Sequence, residues 1–267
     1  MRWKFILGLL TTCAVLMSMS YTMLIPFLPM YLIQDLGVVK ADVDMWSGAI
    51  FAITFLVSGI MAPIWGALAD KKSRKLMALR AGFCLAITYF LGGLVTNPWE
   101  LLGVRFIQGL SAGLWPALLA IISVESPKLK LGFCMGVMQG GMTAGGVLGP
   151  LFGGLLADQF GMRMAFFIAA AALFLITLAL LFFVKEEPRK PDPNAKPVKI
   201  WDFSLCKIPA VKRMLICAGV VQLTILMQQP IMPLYVAELQ GSMERIVLIS
   251  GIVFSAVSYT HLRAHET

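Results

Sequence analysis

The sequence predicts an all-α integral membrane protein, and three observations lead there. Hydrophobic residues make up 59% of the chain, charged residues 13%, and mean hydropathy is +0.84, whereas a soluble domain carries about 25% charge. The apolar residues gather into runs of about 20, the length a helix needs to cross the hydrocarbon core. Basic residues crowd alternate loops between those runs, which is the signature of a multi-pass topology.

On that length template the spans are 5–33, 46–69, 76–95, 101–124, 131–157, 164–184 and 214–236, with an eighth starting near Ile246. Arg2 and Lys4 ahead of an apolar run would suit a signal peptide. The run continues to Ile33 without a small-x-small cleavage pattern, so a retained first helix is predicted. With the N-terminus in the cytoplasm, the inner side collects Arg2, Lys4, Lys71, Lys72, Arg74, Lys75, Arg80, Lys128, Lys130 and the cations of 185–213. The outer side keeps Lys40, Arg163 and Arg245 among Asp35, Asp42, Asp44, Glu100, Asp158, Glu238 and Glu244. This bias predicts a plasma (inner) membrane protein with a cytoplasmic N-terminus. Topology thereby accounts for the net charge of +8, and no nucleic-acid partner is expected. The five cysteines fall in apolar segments or near a basic loop, where no oxidising compartment pairs them.

Pro188, Pro191, Pro193 and Pro197 with alternating charges mark 185–213 as a cytoplasmic central loop, with an amphipathic piece at 200–205. It separates a six-helix unit, 1–184, from the start of a second one, 214–256, holding helix 7 and part of helix 8. The second unit repeats the first. Pro26-Phe-Leu-Pro29-Met-Tyr31 matches Pro230-Ile-Met-Pro233-Leu-Tyr235 at an offset of 204, and Ser47-Gly48-Ala-Ile-Phe51 matches Ser250-Gly251-Ile-Val-Phe254 at 203. A repeat across six helices in one orientation is the parallel-half plan of many transporters. Residues 257–267 put polar side chains in mid-span. That segment resembles a translated sequencing adapter and is expected to be an artefact, His261 and His265 included.

The second and third spans are joined by Gly66-Ala-Leu-Ala-Asp70-Lys-Lys-Ser-Arg74-Lys75. This resembles the loop between helices 2 and 3 of the major facilitator superfamily, G-x-L-x-D-(R/K)-x-G-R-(R/K), with Ser73 where glycine is usual. The resemblance implies that superfamily's fold, here a six-helix N-terminal half plus the first one to two helices of the C-terminal half. It also implies a cytoplasmic gate of Gly66, Asp70, Arg74 and Lys75 that latches the two halves. Asp70 at a helix end suits a neighbouring helix N-terminus, and the Arg74 guanidinium suits a bridge toward Glu125 at the end of helix 4. Ser73 is expected to make a left-handed turn less favourable than glycine would.

Arg105 is the one cation placed well inside a predicted span. Its burial costs at least ~2.5 kcal/mol, so it is expected to face the bundle interior or a watery cavity and to have a partner. Arg105-Phe-Ile-Gln108-Gly109 resembles the superfamily's helix 4 motif, R-x-x-Q-G, associated with proton transfer. The competing reading is an arginine snorkelling to the outer interface near Glu100. In the fifth span, Gly132, Gly136 and Gly140 form one strip and Gly141, Gly145, Gly149 and Gly153 another. Such small-xxx-small strips let backbones approach, and Pro150 removes a backbone donor and is expected to kink or weaken the helix. The run from Gly145 to Gly154, with Gly149, Pro150 and Gly153, resembles the G-P-x-x-G-G motif of proton-coupled antiporters. With Pro26, Pro29 and the block from Met45 to Arg80, it aligns the chain with twelve-helix drug:proton antiporters, the multidrug and tetracycline exporters of bacteria.

The function so implied is secondary active transport, exporting drugs or other small amphipathic compounds in exchange for protons by alternating access. No Asp or Glu lies mid-span in a complete helix, so the proton carrier is expected at Asp35, at Asp70 or in the C-terminal half. Asp35 and Glu125 join Arg105 and Gln108 as the expected charge network. Trp115, Gln139, Met142, Gln228 and Gln229 suit the apolar walls and sparse polar contacts of a promiscuous pocket. No cofactor and no metal are expected, a proton gradient being the energy source. The expected partners are small-molecule substrates, protons and the bilayer, with no obligate protein partner. A metabolite or sugar exporter on the same fold is the alternative, followed by a non-transporting membrane receptor. An intramembrane enzyme would need carboxylates, histidines or a Ser-Lys pair clustered at membrane depth, and the sequence offers none.

Overall fold

A backbone in hydrocarbon must satisfy its own polar groups, so apolar runs of this length become helices. The computed structural model describes residues 2–23, 27–71, 73–184 and 208–240. Among them the helices are α1 (Arg2–Met23), α2 (Leu28–Gln34), α3 (Val43–Lys71), α4 (Arg74–Leu94), α5 (Pro98–Leu110), α6 (Leu114–Glu125), α7 (Leu131–Phe160), α8 (Met162–Phe183) and α9 (Pro209–Gln240). Single 3-10 turns stand at Lys40–Asp42 and Lys128–Lys130. Six stretches of the described residues are long and apolar enough to cross a membrane: α1, α3, α4, α5 with α6, α7, and α8. The all-α membrane architecture predicted from the sequence is therefore found.

Two predicted spans are not single helices. The first, expected over 5–33, ends as α1 at Met23 and resumes as α2 at Leu28. Pro29 occupies the first turn of α2, where its missing N–H costs nothing; Pro26 lies outside the described residues. The fourth span, expected over 101–124, is broken at Gly113, whose φ of +118° ends α5 and starts α6. A side chain added there would meet only ordinary contacts, Arg80 Nη2 at 3.6 Å and Trp65 Cβ at 3.9 Å. The cost of Gly113→Ala is therefore backbone strain, about 1–2 kcal/mol. It is expected to lower the thermal midpoint of the detergent-solubilised protein while leaving insertion intact. Pro150 does not divide the fifth span, since α7 is continuous from Leu131 to Phe160 with the proline inside it.

Helix α9 begins five residues before the seventh span predicted at 214–236 and runs past its end. The amphipathic piece at 200–205, the second copy of the Ser-Gly repeat, the eighth span and residues 257–267 lie outside the described residues, as do the Gln228 and Gln229 side chains.

Three helix pairs dominate the packing: α1 on α7, α4 on α8 and α3 on α5. Small residues make each possible. The strip Gly141, Gly145, Gly149 and Gly153 lies against α1, where a Cβ on Gly149 would stand 2.7 Å from the Met19 carbonyl oxygen and one on Gly153 would stand 2.6 Å from Met23 Cβ. Gly92 and Gly93 receive the Phe166 and Phe167 rings of α8, and a Cβ on Gly109 of α5 would meet the Thr54 carbonyl oxygen of α3 at 2.8 Å. The other predicted strip behaves differently, since a Cβ on Gly132, Gly136 or Gly140 meets nothing described within 4 Å.

The loops sort as the charge pattern requires. At one end the Trp3 ring lies between Lys4 and Lys130, Phe5 meets Phe183 at 5.4 Å, and Lys75 Nζ donates to the Leu181 carbonyl at 2.7 Å. At the other end Trp46 packs edge-on to Trp99 at 4.8 Å, and Arg163 pairs with Asp35. Ends predicted to share a side do share one.

Candidate functional site

The candidate site is a polar network between helices that are otherwise apolar. Arg105 and Gln108 stand three residues apart on α5 and so project from neighbouring positions of one face. Both are buried, Arg105 at 8% exposure, and Arg105 Nη1 donates to Gln108 Oε1 at 2.9 Å. The Tyr89 hydroxyl of α4 lies beside the Gln108 side chain. That hydroxyl in turn donates to the Ser20 carbonyl of α1 at 2.9 Å. From α3, Thr54 Oγ1 reaches the carbonyls of Ile50 at 2.9 Å and of Arg105 at 3.4 Å. Side chains of α3 and α4 and the backbone of α1 thus meet near this stretch of α5.

A charge at membrane depth was expected to have a partner, and the partner is an amide. Asp35 pairs with Arg163 at 3.3 Å and not with Arg105. A buried guanidinium beside neutral groups favours the ionised form of any acid brought next to it. That is the chemistry the network offers. Tyr89 completes it, and sequence reasoning passed over this tyrosine because one aromatic in an apolar run carries no signal. Tyr89→Phe removes the bond to the Ser20 carbonyl, and a loss of about 1–3 kcal/mol is expected in thermal unfolding, since that carbonyl stays buried.

The 2/3 loop is built differently from expectation at one point. Ser73 is not in a left-handed turn; its backbone is extended (φ −69°, ψ 128°) and its Oγ accepts from the Leu76 N–H at 3.0 Å, capping α4. Serine is a better cap there than glycine, so the departure from the usual motif carries no penalty. Gly66 is exposed, with nothing near its missing Cβ. Asp70 falls in the last turn of α3, its side chain outside the described residues, while Arg74 and Lys75 open α4. Lys75 donates to the Leu181 carbonyl in the last turn of α8. Glu125 is half-buried at the end of α6, and no ion pair joins it to Arg74 among the described residues. Arg80, grouped with the loop cations by sequence, instead lies within α4, its guanidinium carbon 3.4 Å from the centre of the Trp65 ring.

Gly145, Gly149, Pro150, Gly153 and Gly154 are all buried in α7, three of the glycines directly against α1. Gln139 is exposed, Met142 half-buried, and Trp115 packs against the cluster around Leu118 and Ile122. A small apolar crevice lined by Phe27, Leu28, Tyr31, Met162 and Phe166 contains none of them. Among the described residues no group of three His, Cys, Asp or Glu is placed to hold a metal.

The comparisons bear on this architecture. Multidrug resistance protein MdtG of Citrobacter koseri is 38% identical over 257 residues, 95% of this chain and 63% of the relative. MdtG of Yersinia enterocolitica is 36% identical over 260 residues, 95% and 62%. The chain thus spans under two thirds of the length of these relatives. Among solved structures, a mutant of the nucleoside transporter NupG superposes with a TM-score of 0.78 at 16% identity, covering 95% of this chain and 65% of that one. A bacterial homologue of the human lysosomal transporter Spinster gives 0.62 at 23%, covering 77% and 48%. At these identities the structures speak for the fold alone. The sequence model of the Major Facilitator Superfamily matches residues 10–260. With its six apolar spans, their pairing through glycine strips and this match, the chain belongs to the Major Facilitator Superfamily.

Proposed function

We propose that the chain is part of a secondary active transporter that exports drugs or other small amphipathic compounds in exchange for protons by alternating access. The observation that carries this reading is Arg105, a buried cation held by Gln108 where four helices meet. Keeping a charge there costs at least ~2.5 kcal/mol, a burden that marks function. A carboxylate that approaches Arg105 in one state and leaves it in another would release and recover a proton. Asp35, Asp70 or a residue of the C-terminal half is the carrier. A proton crossing ~100 mV supplies roughly 2.3 kcal/mol, so neither nucleotide nor cofactor is required.

The names of the similar proteins support drugs as cargo. In this reading the chain sits in the inner membrane with its N-terminus in the cytoplasm, since the cations gather at that end. Gly66, Asp70, Arg74 and Lys75 form the cytoplasmic gate, and Trp115, Gln139, Met142, Gln228 and Gln229 contact cargo. Asp70→Asn is accordingly expected to abolish efflux while the protein still inserts.

The test is to express the complete reading frame in an efflux-deficient bacterium and compare dyes and drugs with sugars and small metabolites. Reduced accumulation of several unrelated drugs, restored when the proton gradient is collapsed, is the expected result. Movement of metabolites or sugars alone would replace the cargo assignment, and binding without movement would make the protein a receptor.

A further inference from the structure

The break in the fourth span is gripped by two side chains that belong to neither the 2/3-loop motif nor the Arg105-x-x-Gln108-Gly109 motif. Trp65 immediately precedes Gly66 on α3, and Arg80 lies in the second turn of α4, so the two flank the 2/3 loop. The Arg80 guanidinium stacks on the Trp65 indole with its central carbon 3.4 Å from the ring centre. Arg80 Nη2 donates to the Ala112 carbonyl at 3.0 Å, and Trp65 Nε1 donates to the Leu110 carbonyl at 2.8 Å. Leu110 is the last residue of α5, and Ala112 precedes Gly113, whose φ of +118° makes the break. A helix that stops within the bilayer leaves its final carbonyls without intrahelical donors, and hydrocarbon supplies none. These two carbonyls are satisfied by the stacked pair. Arg80 Nε is itself buried without a partner, so the guanidinium is oriented toward the break at the expense of one of its own donors.

We propose that Trp65 and Arg80 are positioning residues that hold the inner end of α5, and with it Gln108 and Arg105, in register with the 2/3 loop. Gln108 stands two residues before Leu110, so a displacement of the gripped carbonyls moves the Arg105–Gln108 hydrogen bond. Because Trp65 belongs to α3 and Arg80 to α4, a movement of one helix past the other at the loop opens the stack and frees the break. Loop and buried charge then move as one unit. The consequence for transport rests on the export reading above; the grip does not.

The experiment uses Arg80→Lys and Trp65→Phe in the complete reading frame, purified in detergent and reconstituted. Lysine keeps the charge and loses the planar fork, and phenylalanine keeps a ring and loses the indole donor. In both, amide hydrogen exchange over residues 108–117 is expected to rise about tenfold or more, while α8 is unchanged. In liposomes, gradient-driven export falls about tenfold, with KM and drug–drug exchange held within about twofold. If Arg80→Lys fails to reach the membrane, Trp65→Phe, which removes a single hydrogen bond, carries both measurements. Unchanged amide exchange at 108–117 in Trp65→Phe would overturn the proposal. So would equal losses of gradient-driven export and drug–drug exchange, which describe general destabilisation. An unmutated protein indifferent to the proton gradient would sink the export reading, and the amide exchange result would still decide the grip.

Discussion

Gly149→Val is expected to part α1 from α7 and to leave little folded protein in the membrane. A Cβ at this position falls on the Thr22 hydroxyl and stands 2.7 Å from the Met19 carbonyl oxygen and 3.1 Å from Met19 Cα. A side chain could rotate aside, but backbone of α1 cannot, so the whole helix must retreat. The retreat would loosen the glycine strip along its length, because Gly141, Gly145 and Gly153 approach the same helix. Overpacking of a well-packed core costs about 1–3 kcal/mol, and more where backbone is the obstacle. Against a total margin of about 5–15 kcal/mol that is a large fraction. Gly103→Val is the matched control, since a Cβ there meets nothing within 4 Å. Quantifying both variants in isolated membranes checks the prediction; equal yields would contradict it.

Arg105→Ala has the opposite profile, with insertion and thermal stability retained and gradient-driven export lost. The side chain is buried at a cost of at least ~2.5 kcal/mol. Removing it orphans no carboxylate among the described residues. Stability is therefore expected to hold or rise. Coupling is expected to fall about a hundredfold or more, as when a preorganised charge is removed from a low-dielectric site. Arg105→Lys keeps the charge but not the planar geometry toward Gln108, and is expected to lie between the two. Export with an unaltered pH dependence in Arg105→Ala would return the residue to a snorkelling role.

Much of this architecture is legible in residue spacing. Four-residue glycine spacing in the fifth span identified the face that meets α1, because the period of a helix fixes which residues share a strip. The same rule could not say that the Gly132, Gly136 and Gly140 strip has no described neighbour, since spacing reveals a face and not what covers it. Hydropathy located every described span yet ran straight through Ser111-Ala-Gly113, where small residues keep the run apolar while Gly113 turns left-handed. A charge count likewise assigned Arg80 to the loop, although its guanidinium lies on the Trp65 ring within the helix pair. The burial of Arg105 was readable from its depth in an apolar run. That Tyr89 ties α4 to the Ser20 carbonyl of α1 beside the Arg105–Gln108 pair depends on which helices are neighbours, a tertiary fact without a local signature.

The most direct measurement reconstitutes the complete reading frame in liposomes and follows drug and proton together after a pH jump. The expected result is drug moving against the proton flow, stopped when the gradient is collapsed and absent in Arg105→Ala. Drug flux that ignores the gradient, or that runs in the same direction as the protons, would contradict it.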